Sequence, residues 1–368
     1  MCAAPTSRDG DQARNRDVAG TRVRARAPLR AAHGSIALRR GGARRQRVTD
    51  SVLALDAQRR RRPPTASHDT PALAGSPRPR AGVRCLPMDF PTRTVQLPTA
   101  GGLEFEVLAD DAIIGPAIEQ GAWAEDEVAL MGAHIGAGKR VVDLGANVGW
   151  FAVQALLAGA EVHAFEPVPA IAALARRNVE RAMACPGAGK GHVHELAAGA
   201  ERGSAEIVLG GSNHGDNRVL DEGARSAPDD MSGGEHVTIQ IAPVDELVAG
   251  PIDFLKIDTQ GSEWHALQGC RRLIEDSPRL GLLLEFWPWA LRGATPAALL
   301  DVLVQKGFTL GKATDAPYPM SAARIMRQMA DRMGPTGGID LFGVKGKAFH
   351  VLGLGARLKG AVRSLKEA

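Results

Sequence analysis

From Arg93 onward, apolar and polar residues fall into regular patterns. Thr94-Val95-Gln96-Leu97 and Leu103-Glu104-Phe105-Glu106-Val107 alternate with a period of two, separated by the turn-forming stretch from Pro98 to Gly102, and predict a β-hairpin. Residues 124–135 have helical spacing, which Gly136-Ala137-Gly138 interrupts. Strands and helices then alternate, with strands predicted over 140–145, 161–166 and 192–198 and helices over 150–158 and 170–184. Strands at 205–209, 236–242, 252–258, 280–286, 307–311 and 339–345 follow, with helices at 262–276 and 296–306. In the 170–184 helix, Ile171, Leu174, Ala175, Val179, Ala182 and Met183 recur every three or four residues, giving one stripe that faces a sheet. Thr295 and Pro296 form an N-cap and first helical residue. Alternating helices with Val/Leu/Ile-rich strands predict an α/β fold with a doubly wound, mostly parallel sheet covered on both faces. Ligands bind such sheets beyond the carboxyl ends of the strands, where the strand order reverses.

Composition changes this picture only at the ends. The chain has 368 residues, 44% hydrophobic and 23% charged, with a formal net charge of +4. Residues 1–87 hold 19 arginines, no lysine and six acidic residues, a net of +13 that leaves −9 for the rest. This Arg-, Ala- and Pro-rich segment has no sustained period and too little apolar content to offset its ordering entropy, so it is expected to be a disordered extension. Met88 stands immediately before the regular patterns and is the expected native start of a domain over 88–346, the upstream part then being non-native. An arginine tail that contacts nucleic acid or anionic surfaces is the less favoured alternative, and six acidic residues argue against a transit peptide. Residues 347–368 space their apolar positions helically, opposite Arg357, Lys359, Arg363 and Lys366, and predict a basic amphipathic helix. No apolar run reaches the roughly 18 to 20 residues of a membrane-spanning helix, and Leu280 to Phe286 already contains Glu285, so an integral membrane protein is not expected. Cys2, Cys85, Cys185 and Cys270 are widely separated and the histidines are not clustered to complete a zinc site, which points to a reducing, cytoplasmic setting without structural metal.

The candidate chemistry begins at the end of the 140–145 strand, in Asp143-Leu144-Gly145-Ala146-Asn147-Val148-Gly149. Gly145 and Gly149 remove side chains where the backbone must turn and approach a ligand, and the next helix presents its amino-terminal N–H groups there. Asp143 is expected to face the pocket from the strand tip. Glu166, in Phe165-Glu166-Pro167, lies about 20 residues downstream, the position of an acidic group that accepts ribose hydroxyl protons. Together these residues describe a site for an adenosine-containing cofactor. A nicotinamide dinucleotide is disfavoured, because the middle glycine of Gly-x-Gly-x-x-Gly is replaced by Asn147 and Asp143 would repel a pyrophosphate. The balance favours S-adenosylmethionine.

Asp143 to Gly149, Phe165-Glu166-Pro167 and Lys256-Ile257-Asp258-Thr259-Gln260-Gly261-Ser262-Glu263 occur in the order and spacing of FkbM-type methyltransferases, and residues 120–312 resemble that family. The resemblance implies a Rossmann-like class I methyltransferase fold with a seven-stranded sheet, in which the 339–345 strand runs antiparallel. It implies S-adenosylmethionine as donor and O-methylation of a sugar, glycan or polyketide-like hydroxyl. Asp143, Gly145, Asn147, Gly149 and Glu166 take the cofactor-binding roles. Gln260 departs from the glutamate often found at that place.

Methyl transfer to a hydroxyl requires the acceptor oxygen to be held in line with the methyl and its proton to be removed. Asp258, at the end of the 252–258 strand, is the first candidate for orienting or deprotonating the acceptor. Lys256 falls on the same strand face and is expected to pair with Asp258 or Glu285. His214, in the polar stretch 210–218, is the second candidate base and marks a possible acceptor loop. Glu263 suits the first turn of the next helix through the helix dipole alone, and His265 is expected on that helix's surface. Trp287 and Trp289 are expected near the pocket, as stacking platforms or as core. The alternatives to an enzyme of this kind are a non-catalytic nucleoside-binding module and, less favoured, an NAD-dependent oxidoreductase. Nucleic acid is not an expected partner.

Overall fold

The computed structural model describes residues 90–97, 101–210, 213–220, 234–314, 317–330 and 337–346. The arginine-rich extension, the Met88 start and the carboxyl-terminal amphipathic helix lie outside the described residues.

The hairpin forms as the alternation predicts. Strands β1 (Thr92–Leu97) and β2 (Leu103–Leu108) pair antiparallel, with Thr92 opposite Leu108 and Leu97 opposite Leu103. Val95, Leu97, Phe105 and Val107 are buried. Two short helices follow. In α1 (Ile114–Glu119), which the sequence pattern did not reveal, Asp111 Oδ1 accepts from the backbone N–H groups of Ile113, Ile114 and Gly115 and so holds the first turn. Helix α2 (Glu125–Gly132) opens with Glu125, Asp126 and Glu127, acids favoured at a helix amino terminus.

The main sheet is assembled from β3 (Arg140–Leu144), β4 (Glu161–Phe165), β5 (Gly191–His194), β10 (Phe254–Ile257), β11 (Leu280–Phe286), β12 (Phe308–Lys312) and β13 (Ile339–Lys345). Its order is β12-β13-β11-β10-β3-β4-β5. All neighbouring pairs are parallel except those of β13, which runs antiparallel to both β11 and β12. This is the Rossmann-like class I methyltransferase arrangement, and the strand order reverses between β3 and β10.

Alternation along the strands divides the core between the two sheet faces. Val141 and Phe254 pack with α3 (Trp150–Leu157), α4 (Pro169–Met183) and the hairpin, whereas Val142, Leu144, Leu255 and Ile257 pack with α5 (Glu263–Gly269), α6 (Arg271–Asp276) and α7 (Pro296–Gln305). In α4 the predicted stripe is buried through Ala182, and Met183 is exposed at the end. Asn178 of α4 acts as a strand edge for β2, because its amide donates to Glu106 O and to Val148 O while its Oδ1 accepts from Glu106 N. The Thr295 cap of α7 is present, its Oγ1 accepting from Ala298 N at 3.2 Å.

Two expectations are corrected. The 192–198 strand divides: β5 ends at His194, and β6 (Ala197–Ala198) joins a second sheet of order β6-β9-β7-β8 with β7 (Gly203–Val208), β8 (Arg218–Leu220) and β9 (His236–Ala242). The predicted 205–209 and 236–242 strands pair with each other in this second sheet, a partner that their period of two does not encode. The 262–276 helix breaks at Cys270, where α5 ends and α6 begins. Gly269 packs so closely that a Cβ there would lie 2.2 Å from the Gly199 carbonyl oxygen, and Asp245 caps α6 by accepting from Arg272 N and Leu273 N. Helix α8 (Ala322–Gln328), capped by Ser321, also went unread.

Candidate functional site

The carboxyl ends of the parallel strands and the start of antiparallel β13 meet around a cleft of about 1140 Å³. Trp123, between α1 and α2, and Glu127 of α2 form one wall, and Ala205, Val219 and Ile241 of the second sheet form another. The cleft lies at the reversal of strand order, where such sheets bind ligands.

Its floor is the loop after β3. Gly145 has φ 77°, and a Cβ on it would lie 1.8 Å from the Asp258 carbonyl oxygen, so glycine lets the loops after β3 and β10 close on each other. Asp258 N donates to Leu144 O at 3.0 Å, and Gly145 N and Ala146 N both donate to Phe165 O. Asn147 occupies the left-handed region at φ 50°, its Oδ1 accepting from Val148 N and its amide donating to His214 O at 3.0 Å. Gly149, at φ 86°, leads into α3.

Glu166 joins the loops after β3 and β4. One carboxyl oxygen accepts from Asn147 N at 2.9 Å and the other from Val168 N at 3.0 Å. The side chain is buried yet lines the cleft, and burial pushes its pKa up to about 7 against the pull of those two donors.

Asp143 does not face the cleft as expected. It is 1% exposed, beneath Lys256, whose ammonium lies 3.3 Å from Asp143 Oδ1 and 3.6 Å from Asp258 Oδ2 and donates to Gly145 O at 3.2 Å. The register places residues 143 and 256 side by side on one sheet face, and the longer side chain covers the shorter. Burial raises the pKa of Asp143. It would lower that of Lys256, but Asp143 and Asp258 outweigh it and hold the ammonium charged. Lys256 thus pairs with Asp143 and Asp258, not with Glu285.

Asp258 lines the cleft with its side chain 39% exposed. The Gln260 amide nitrogen donates to Asp258 Oδ1 at 2.9 Å and to Glu285 Oε2 at 3.0 Å. Gln260 itself has φ 51°. Glu263, fully buried, holds this loop: its Oε1 accepts from Thr259 N, Thr259 Oγ1 and Gly261 N. It does more than complement a helix dipole.

His214 stands in a short 3₁₀ turn, His214–Asp216, and is 3% exposed in the cleft wall. Its Nε2 lies 3.2 Å from Asp110 Oδ1, its backbone N–H donates to Asp111 Oδ2, and Phe90 meets the ring edge-on at 5.0 Å. Gly211 and Ser212 of the polar stretch lie outside the described residues. Arg218 forks onto Asp216 and sits 4.3 Å from the Trp287 ring centre and 5.6 Å from that of Trp289. Trp287 lines the cleft. His265, expected on a helix surface, lines it too, because the amino end of α5 points at the site.

Glu127, Asp340 and Arg292 also line the cleft and were not singled out from sequence. Burial first, then repulsion from Asp258 and Glu127, raises Asp340 to about 7. Burial also raises Glu127. The available signal was a lone acid inside the otherwise apolar opening of β13. Among the described residues no group of three His, Cys, Asp or Glu side chains is arranged to hold a metal ion, and no helix is long and apolar enough to cross a membrane.

Residues 143–310 match the family model of the methyltransferase FkbM domain. No curated protein matches the chain. Among solved structures, methyltransferase FkbM from Methylobacillus flagellatus KT is 18% identical with a TM-score of 0.34, covering 56% of this chain and 43% of that one. This chain therefore spans less than half the length of that protein. A TehB-like SAM-dependent methyltransferase from Corynebacterium glutamicum is 13% identical with a TM-score of 0.34, covering 62% of this chain and 92% of that one. The magnesium protoporphyrin IX methyltransferase of Synechocystis PCC 6803, with SAM bound, is 13% identical with a TM-score of 0.34, covering 64% and 84%.

Proposed function

We propose that this chain, whose residues 143–310 match a methyltransferase FkbM domain, is an S-adenosylmethionine-dependent O-methyltransferase acting on a hydroxyl of a sugar, glycan or polyketide-like small molecule, with its domain spanning 88–346. Methyl transfer in general rests on that domain; the donor, the oxygen acceptor and the residue roles are our reading of the site.

The observation that carries the reading is Glu166. Its carboxyl group is fixed by Asn147 N and Val168 N at the ends of β3 and β4 and forms part of the cleft wall. A carboxylate held there accepts the two hydroxyl protons of a ribose. The surroundings fit the donor. The loop at Gly145 and Asn147 offers a tight turn beside the ribose position, Gly149 frees the first turn of α3, and Asp143 fixes Lys256 beneath the loop. Asp258 opens onto the cleft among Glu127, Glu285 and Asp340, whose pKa values burial raises; a positively charged sulfur would favour their ionised forms, whereas a pyrophosphate would meet these acids.

When bound, the donor supplies an electrophilic methyl group. The chain's own task is to hold the acceptor oxygen in line and take its proton. Asp258 is placed for this, at the strand tip and open to the cleft. His214 remains the second candidate base, although burial and its contact with Asp110 suit it better to shaping the wall.

Calorimetric titration of the full chain with S-adenosylhomocysteine, with NAD as control, tests the donor. Binding that is lost in Glu166→Ala is expected, and no binding by folded wild-type chain overturns the reading. In methyl-label transfer to hydroxylated acceptors, Asp258→Asn is expected to lower turnover far more than donor affinity.

A further inference from the structure

Asp258 does not stand alone in the cleft. The amide nitrogen of Gln260 reaches Asp258 Oδ1 at 2.9 Å and Glu285 Oε2 at 3.0 Å, so the two carboxyl groups share one donor. Two carboxyl groups brought onto one amide nitrogen repel each other while both are ionised, so the arrangement favours one of them keeping a proton. Gln260 is held for this contact at some cost. Its backbone is in the left-handed region at φ 51°, unusual for a residue other than glycine, asparagine or aspartate. The loop is pinned on both sides, by Glu263 accepting from Thr259 N and Gly261 N and by Arg292 N donating to Gly261 O. Strain maintained by a buried scaffold is characteristic of functional loops.

We propose that Gln260 and Glu285 are positioning residues for Asp258: the Gln260 amide ties the two carboxyl groups into one unit that carries a single proton and presents Asp258 to the acceptor. The proposal rests on the reading of Asp258 given above. The surrounding charges decide where the proton sits. Lys256, itself paired with Asp143, lies beside Asp258. Glu285 faces Glu263 of α5 and Asp340 of β13, and Glu127 of α2 and Lys312 of β12 face Asp340 in turn. Burial, followed by repulsion from Asp258, Glu263 and Asp340, holds Glu285 well above the usual carboxylate range. The proton therefore belongs on Glu285. In the reaction the acceptor's O–H bond would break and its proton pass to Asp258, while the oxygen's electron pair would form the bond to the methyl carbon as the methyl–sulfur bond of the donor breaks and leaves its electron pair on the sulfur. The unit then holds two protons, one on each carboxyl group, and Gln260 fixes the geometry throughout.

The test is a carbon-13 carboxyl NMR titration of the full chain, labelled at Asp and Glu and saturated with S-adenosylhomocysteine. The Glu285 midpoint is expected well above the ordinary carboxylate range. This midpoint should fall by about one pH unit or more in Asp258→Asn, where the neighbouring charge is gone, and rise in Gln260→Ala, where the donor is gone. A pair of ionised carboxylates bridged by the Gln260 amide alone would instead leave Glu285 titrating in the ordinary carboxylate range. Titration of wild-type Glu285 in the ordinary carboxylate range, or an unchanged midpoint in Asp258→Asn, overturns the proposal. If Gln260→Ala does not fold, the wild-type and Asp258→Asn curves still decide. No acceptor is used, so this failure is distinct from failure of the donor reading, which would show as absence of S-adenosylhomocysteine binding.

Discussion

Gly145 and Asp258 meet backbone to backbone at the reversal of strand order: a Cβ on residue 145 would lie 1.8 Å from the Asp258 carbonyl oxygen. The loop that shapes the donor site and the strand tip that carries the candidate base thus share one contact, and neither moves without the other.

Gly145→Ala is expected to be severely destabilising, because the side chain meets backbone and the φ of 77° is already unfavourable for alanine. A loss of about 2–4 kcal/mol is the scale for a clash combined with backbone strain. Urea unfolding of wild type and variant measures it, and S-adenosylhomocysteine titration should show weakened binding in whatever remains folded. A variant of wild-type stability would mean that the two loops are not in contact.

Glu166 predicts the pH dependence of donor binding. Its pKa is raised to about 7 by burial, so the folded, empty protein gains stability from its protonation below 4.5 and loses that contribution as pH rises from 4.5 through 7. Ribose hydroxyls donate to the carboxylate and therefore select the ionised form. S-adenosylhomocysteine affinity should be flat above pH 7 and fall toward lower pH, approaching about tenfold per unit. Calorimetry at pH 6 in buffers of different ionisation enthalpy should show proton release on binding. Glu166→Gln should bind weakly and without this dependence.

The Asp143–Lys256 pair is buried on both sides, with side chains 1% and 5% exposed. Lys256→Met would leave Asp143 charged or force it to take up a proton in the core. Breaking one side of such a pair typically costs about 3–5 kcal/mol, and replacing both members by apolar groups recovers much of it. Lys256→Met should therefore unfold at markedly lower urea, and Asp143→Leu/Lys256→Met should regain stability without regaining donor binding. Equal stability of the two variants would remove the pair from the core's accounting.

Much of this arrangement was legible in the chain. Period-two alternation and the glycines at 145 and 149 located the switch point, and the spacing to Glu166 placed a carboxylate beside it. The limits were those of local pattern. Asp143 and Lys256 both belong to strand tips, but only the parallel register shows that one lies beneath the other. Glu127 and Asp340 come from α2 and β13, far apart in sequence, and are brought to Asp258 by the antiparallel placement of β13 between β11 and β12. The break at Cys270 depends on Asp245, more than 20 residues earlier, supplying a cap across space. Whether Ala197 and Ala198 continue β5 or join β9 is decided by tertiary pairing, since two alanines fit either sheet.

Three stacked histidines beside the cleft make part of the fold's stability depend on pH in the opposite sense to Glu166. His163 stacks with His192 at 5.1 Å and with His194 at 5.5 Å, and His194 stacks on Phe165 at 4.4 Å. His163 Nδ1 and His194 Nε2 share a hydrogen bond at 3.2 Å, which requires one of the two nitrogens to be unprotonated. Burial, then the neighbouring histidines, lowers His194 to about 4, and burial also lowers His163 despite Glu161 beside it. A histidine depressed in the fold binds its proton more readily when unfolded, so its contribution to stability is complete above the unfolded value near 6.5. It is lost progressively as pH falls from there toward 4. In melting curves, wild type should lose stability relative to His194→Phe, which keeps the stack on Phe165, as pH falls from 6.5 to 4. The comparison isolates the ring, because Glu166 changes the same curves in the opposite direction in both proteins. Parallel curves for wild type and variant would mean that His194 makes no such contribution.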